Sequence, residues 1–276
     1  MLSSEQLDLL RSKSVLVATV VISGSVTEEY ATSHEEMRVA NEKNGFTNVE
    51  YVKQTAVLVE AGRQAVVEHA LKQNYDVILQ IDADMAGFPP DAMVRLLSRL
   101  YIELPHADAI GAYCNLRGAP YLPTIDTGTG TWENHYPGMG VVEVMRTGTA
   151  FLMCKTSAFR KFGPPWFRSK ISQRPIDGII TVDNMTRMWL DGTNPFYGTD
   201  DWQSILHEAK KRSVPEGTIG EDSGFCDRLK AVGGRIFVDT DIAVGHVGKK
   251  TIDWTDHKKL MDEYKKNVRL AVGVTG

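Results

Sequence analysis

Apolar residues gather in strand-length runs at 15–22 (VLVATVVI), 49–52, 76–82, 107–113, 141–154 and 235–244. Between the earlier runs the apolar spacing is helical. This alternation predicts an α/β fold, with one mostly parallel central sheet flanked by helices. Ser33 to Glu36 (SHEE) reads as a capping box that opens a helix, and Gly45 is placed to end it. Pro89 and Pro90 suit the first turn of a helix running through residues 91–101. Periodicity is lost over 168–219, a polar, turn-rich stretch expected to form a long functional loop. It returns with a helix whose Phe225, Leu229 and Val232 share a face, then a strand, then a last helix near 256–270.

Composition adds mainly exclusions. The chain has 276 residues, 42% of them hydrophobic, enough for one sizeable core, so a single domain is expected. A net charge of -4 supplies no global field that would draw in nucleic acid. Cys114, Cys154 and Cys226 are odd in number and far apart, which points to neither a zinc site nor a disulfide framework. With no basic, apolar leader at the start and no run of membrane-spanning length, a cytoplasmic location is expected.

The most informative stretch is VILQIDADMAGFPPD, residues 77–91, where an apolar run ends on two carboxylates one residue apart. Ligands of open parallel sheets gather at the carboxyl ends of strands. With strand periodicity, Asp82 and Asp84 project to one side, and their hard oxygens suit Mg2+ or Mn2+ bridging to phosphate. The plainer alternative has Asp84 organise the turn before Pro89 and Asp82 accept backbone hydrogen bonds.

Residues 75–97 resemble the DxD segment of nucleotide-sugar-dependent glycosyltransferases of the GT-A fold. Other family features follow in order. EAGRQAVVEHAL (60–71) resembles the arginine-bearing helix before the DxD strand, and DAIGAYCNLRGAPY (108–121) the strand and loop after it. RTGTAFLMCKTSAFRKFGPPWF (146–167) is similar to the acceptor-side strand with its glycine. IGEDSGFCDRLKAVGGRIFVDTDIAVGHVG (219–248) resembles the acidic helix start, late strand and histidine. The chain thus resembles small single-domain, family-2-like enzymes of bacteria and phages.

That resemblance implies a nucleotide-binding part over 1–113 and an acceptor-side part over 114–276. It implies metal binding by Asp84 and His246, with Asp82 towards the ribose or a metal-bound water, and Mn2+ or Mg2+ as the only cofactor. Arg63 would grip the nucleotide, with Ser23, Gly24 and Ser25 at its rim; the alternative is an exposed Arg63 paired with Glu60. Asp222 would be the general base of a transfer more in keeping with inversion, and Glu221 would cap the helix or bind acceptor hydroxyls. Against this, TIGE (218–221) is itself a capping-box pattern. Thr147, Gly148, Trp166, Trp189 and Trp202 are acceptor-side candidates, although each tryptophan singly could be packing. The partners implied are a nucleoside-diphosphate sugar and an acceptor hydroxyl, on a glycan or a hydroxymethylated DNA base.

Two other classes compete. A nucleotidyltransferase also uses carboxylates at a sheet end, but would show a glycine- and base-rich loop after the first strand, where this chain has SGSVTEEY. A non-catalytic sugar-nucleotide- or glycan-binding module would not need Asp84, Asp222 and His246 together.

Overall fold

The computed structural model describes residues 2–22, 25–56, 58–116, 122–128, 135–168, 220–248, 251, 252, 255, 258 and 259. In chain order the elements are α1 (Ser4–Arg11), β1 (Val15–Val21), α2 (Glu28–Lys43), β2 (Val49–Thr55), α3 (Val59–Gln73), β3 (Val77–Ile81), β4 (Met85–Ala86) and α4 (Ala92–Ser98). A π-helical turn over Arg99–Glu103 follows, then β5 (Ala109–Tyr113), β6 (Ile125–Asp126), β7 (Val141–Val144), β8 (Arg146–Thr147), β9 (Phe151–Lys155) and α5 (Thr156–Lys161). The last described elements are α6 (Glu221–Ala231), β10 (Ile236–Ala243), β11 (Gly245–Val247) and β12 (Thr251–Ile252).

Seven strands form the central sheet in the order β2-β1-β3-β9-β5-β10-β7. β9 runs antiparallel to both its neighbours and β7 antiparallel to β10, the remaining pairings being parallel. The fold is therefore α/β with a mixed sheet. The expected single strand over 141–154 is divided: β7 lies at the sheet edge, β8 pairs with β6, and β9 enters between β3 and β5. β9 can reverse direction there because antiparallel entry needs no helical crossover.

Side-chain alternation sends the strands into two cores. Val15, Val17, Val77, Leu79, Ile81, Phe151 and Met153 pack with residues of α1, α2 and α4 on one face. Leu16, Ala18, Ile78, Leu152 and Cys154 pack with α3, α5 and α6 on the other. The strands read as unbroken apolar runs because both faces are covered.

Several local expectations shift. α2 opens at Glu28, capped by Thr27, whose hydroxyl accepts the Tyr30 N–H. Thr27 followed by two glutamates answers the exposed N–H groups and the positive helix end together. Ser33 instead lies inside the helix, where its Oγ accepts the Gly87 N–H at 3.0 Å. Gly45 does follow the helix end, at φ +79°, with its N–H on the Glu42 carbonyl. Phe225 and Leu229 are buried as predicted, but Val232 is exposed. The 168–219 loop and the helix near 256–270 lie outside the described residues, apart from Arg168, Lys258 and Lys259.

Candidate functional site

α3 delivers Arg63. Its Gly62 sits so close to β1 that an added Cβ would meet Val20 Cγ1 at 2.4 Å, and this close approach lets the helix lie against the sheet. Arg63, Val66, Val67 and Ala70 form the buried stripe of α3. Arg63 is thus not the exposed partner of Glu60: it is 3% exposed and donates from Nη2 to Asp82 Oδ1 at 2.6 Å. Its guanidinium also lies 5.9 Å from the Phe167 ring centre, and Nη1 is buried without a hydrogen-bond partner among the described residues.

β3 ends at Ile81, so the two acidic residues are not on a continuing strand. Met85 donates its N–H to the Asp82 carbonyl at 3.1 Å, closing a turn through Ala83 and Asp84. Strand periodicity therefore does not set their directions. Asp82 is held by its N–H on the Ala150 carbonyl at 2.8 Å and by Arg63. After the turn, β4 pairs with β11, placing His246 opposite Met85, and the Val247 N–H bonds to the Asp84 carbonyl at 2.8 Å. A short antiparallel ladder thereby draws the histidine to the acidic turn.

His246 is buried, with Nδ1 2.6 Å from the Asn115 carbonyl. A carbonyl can only accept, so Nδ1 carries a proton and the neutral ring keeps its lone pair on Nε2, the arrangement of an oriented metal ligand. This orienting group is a main-chain oxygen just beyond β5, for which the sequence carries no signal. Among the described residues no three His, Cys, Asp or Glu side chains group closely enough to hold an ion unaided. Asp84 and His246 nevertheless have the right chemistry for Mg2+ or Mn2+ if phosphate oxygens complete the shell.

α6 brings the second acidic pair. It begins at Glu221 with Gly220 at the N-cap position, whereas the TIGE pattern would put the cap at Thr218, which lies outside the described residues. Asp222 Oδ1 accepts the Ser223 N–H at 2.7 Å. Burial pushes the Glu221 carboxyl above its usual range, with the Arg63 charge opposing and Asp222 and Glu60 adding to the rise. Cys114, at the end of β5, feels both acidic groups: burial raises its thiol to about 12 against a Thr124 hydrogen bond, and Asp82 and Asp222 add to the rise. The DxD-side and α6 carboxylates thus share one neighbourhood.

Because folding raises the Glu221 pKa, its stabilising contribution is present below the ordinary value of 4.5 and lost as pH rises through the folded value. At neutral pH the ionised group costs stability. Glu221→Gln is expected to melt at higher temperature than wild type near neutrality, with the gain vanishing in acid, as followed by circular dichroism across pH.

Other predicted residues fall elsewhere. Trp166 is buried, with its indole N–H on the Phe159 and Phe162 carbonyls at 2.8 and 3.1 Å, a place in the packing rather than on an open platform. Its backbone N–H, like that of Phe167, bonds to Gln64 Oε1, so Gln64 clamps this segment. Thr147 is buried, its carbonyl accepting from Cys226 Sγ, and Gly148 packs against Thr124. Ser25 is exposed; Ser23, Gly24, Trp189 and Trp202 lie outside the described residues.

No protein-family model matches the chain, and a search of curated proteins gives no match. Solved structures similar to it include A197 from STIV, at 14% identity over 85% of each chain with a TM-score of 0.48. A glycosyltransferase involved in the glycosylation of the major capsid of PBCV-1 is similar at 11% identity over 90% of this chain and 98% of that one, TM-score 0.32. An apo UDP-glucose pyrophosphorylase is similar at 10% identity over 95% and 85%, TM-score 0.36. Among the described residues no helix is long and apolar enough to cross a membrane.

Proposed function

We propose that the protein is a divalent-ion-dependent glycosyltransferase, moving a sugar from a nucleoside-diphosphate sugar to an acceptor hydroxyl. The observation that supports this most is that the acidic turn after β3 and the acidic start of α6 act on the same thiol, Cys114, just beyond β5. Asp82 and Asp84 lie in the turn beside His246, while at the opening of α6 Asp222 acts with Asp82 on the Cys114 thiol and Glu221 feels the charge of Arg63, the partner of Asp82. One pair serves the diphosphate and the other the acceptor.

Asp84 and His246 would hold the ion, which when bound would offset charge building on the departing diphosphate. Asp222 accepts the proton of the acceptor hydroxyl while that oxygen bonds to the anomeric carbon and the bond from carbon to diphosphate oxygen breaks. Glu221 orients acceptor hydroxyls. Arg63 acts through Asp82, since its guanidinium is buried.

The test is incubation of the protein and Mn2+ with a panel of sugar nucleotides, assaying released nucleoside diphosphate, first alone and then with glycan and hydroxymethylated-DNA acceptors. Pyrophosphate release from a nucleoside triphosphate and a sugar phosphate would instead establish a nucleotidyltransferase. Binding of a sugar nucleotide without turnover on any acceptor would favour a binding module.

A further inference from the structure

Asp82 carries the first carboxylate of the acidic turn, yet one oxygen of that carboxylate is already engaged. Arg63 Nη2 holds Oδ1 at 2.6 Å, the arginine being 3% exposed and the aspartate side chain 25%. The guanidinium cannot easily follow a moving partner: it issues from the packed stripe of α3, beneath the ring of Phe167, which itself stacks on Phe225 at 4.9 Å. Were Asp82 to turn to an ion, Nη2 would join Nη1, which has no hydrogen-bond partner among the described residues. A buried guanidinium stripped of its carboxylate is strongly disfavoured.

Resting on the nucleotide-sugar reading above, we propose that Arg63 withholds Asp82 from the divalent ion, so that the ion is held firmly only when a diphosphate supplies the missing oxygens. Arg63 is then a positioning residue that makes ion and donor binding mutually dependent. It also gives the first aspartate a role distinct from that of Asp84, whose carbonyl is fixed by β11.

Mn2+ alone is the probe. Its free concentration is read by electron paramagnetic resonance, and the waters left on the bound ion by water-proton relaxation, with no sugar nucleotide present. Arg63→Met is expected to bind Mn2+ at least about tenfold more tightly than wild type, because ligand charge count tunes affinity. The ion should also carry fewer waters, and Arg63→Met with Asp82→Asn should return both readings to wild type. Unchanged affinity in Arg63→Met overturns the proposal. So does a gain with no loss of water, which would mark a field effect, or a gain that survives in the double variant.

If Arg63→Met does not fold, Asp82→Asn decides. In the otherwise wild-type chain it should leave the water count unchanged, and an added water would show that Asp82 was already a ligand. Since no readout uses a donor, failure to turn over any sugar nucleotide would sink the glycosyltransferase reading and leave this result standing.

Discussion

Asp222→Asn is expected to slow sugar transfer by roughly a hundredfold or more while leaving donor affinity and fold unchanged. The substitution is close to isosteric. In the wild type Asp222 Oδ1 accepts the Ser223 N–H, and an asparagine carbonyl oxygen accepts the same bond. Asparagine is also well suited to a helix start, so α6 keeps its opening turn. What disappears is the basic carboxylate. A carboxylate that served the helix alone would leave the rate nearly intact, and so would a retaining mechanism, in which the departing phosphate takes the acceptor proton on the same face. Rates must therefore be read together with the anomeric configuration of the product by NMR. An inverted product formed at near wild-type rate by the variant would remove Asp222 as the base.

Much of the fold was legible because a sheet covered on both faces writes itself as apolar runs. The runs at 15–22 and 76–82 became β1 and β3 with little change. The run at 141–154 failed because continuous apolarity does not say which sheet a segment joins, and three short strands there serve two sheets. Ser33 failed for another reason: SHEE has the letters of a capping box, but Thr27 caps first and the serine becomes a tether for Gly87.

The site was legible as chemistry and less so as geometry. The alternative of an exposed Arg63 paired with Glu60 ran against a signal in the sequence: Val66, Val67 and Ala70 stand three, four and seven positions on, which places Arg63 on the buried stripe. The turn after Ile81 was not legible, since it depends on pairing between β4 and β11, distant in sequence. Trp166 shows the converse difficulty. An aromatic in a polar stretch reads as a sugar platform until its indole N–H is found on Phe159 and Phe162 carbonyls.

Asp84→Ala is expected to weaken ion-dependent donor binding by roughly a hundredfold or more, and His246→Ala by about tenfold, as losses at or beside a metal typically do. The order follows from the chemistry. Asp84 brings a negative charge to a cation that also meets the diphosphate, whereas the imidazole brings a neutral donor already oriented by the Asn115 carbonyl. Both variants should keep the fold. The bond that ties the turn to β11 uses the Asp84 main-chain carbonyl, which alanine retains, and the pairing of residues 85 and 246 is likewise through the backbone. Calorimetry with a sugar nucleotide, with and without Mn2+, is the measurement, with circular dichroism melting alongside. Donor binding of full strength without the ion, or an Asp84→Ala chain that binds donor and Mn2+ as the wild type does, would show that this turn serves the architecture and that the diphosphate is held elsewhere.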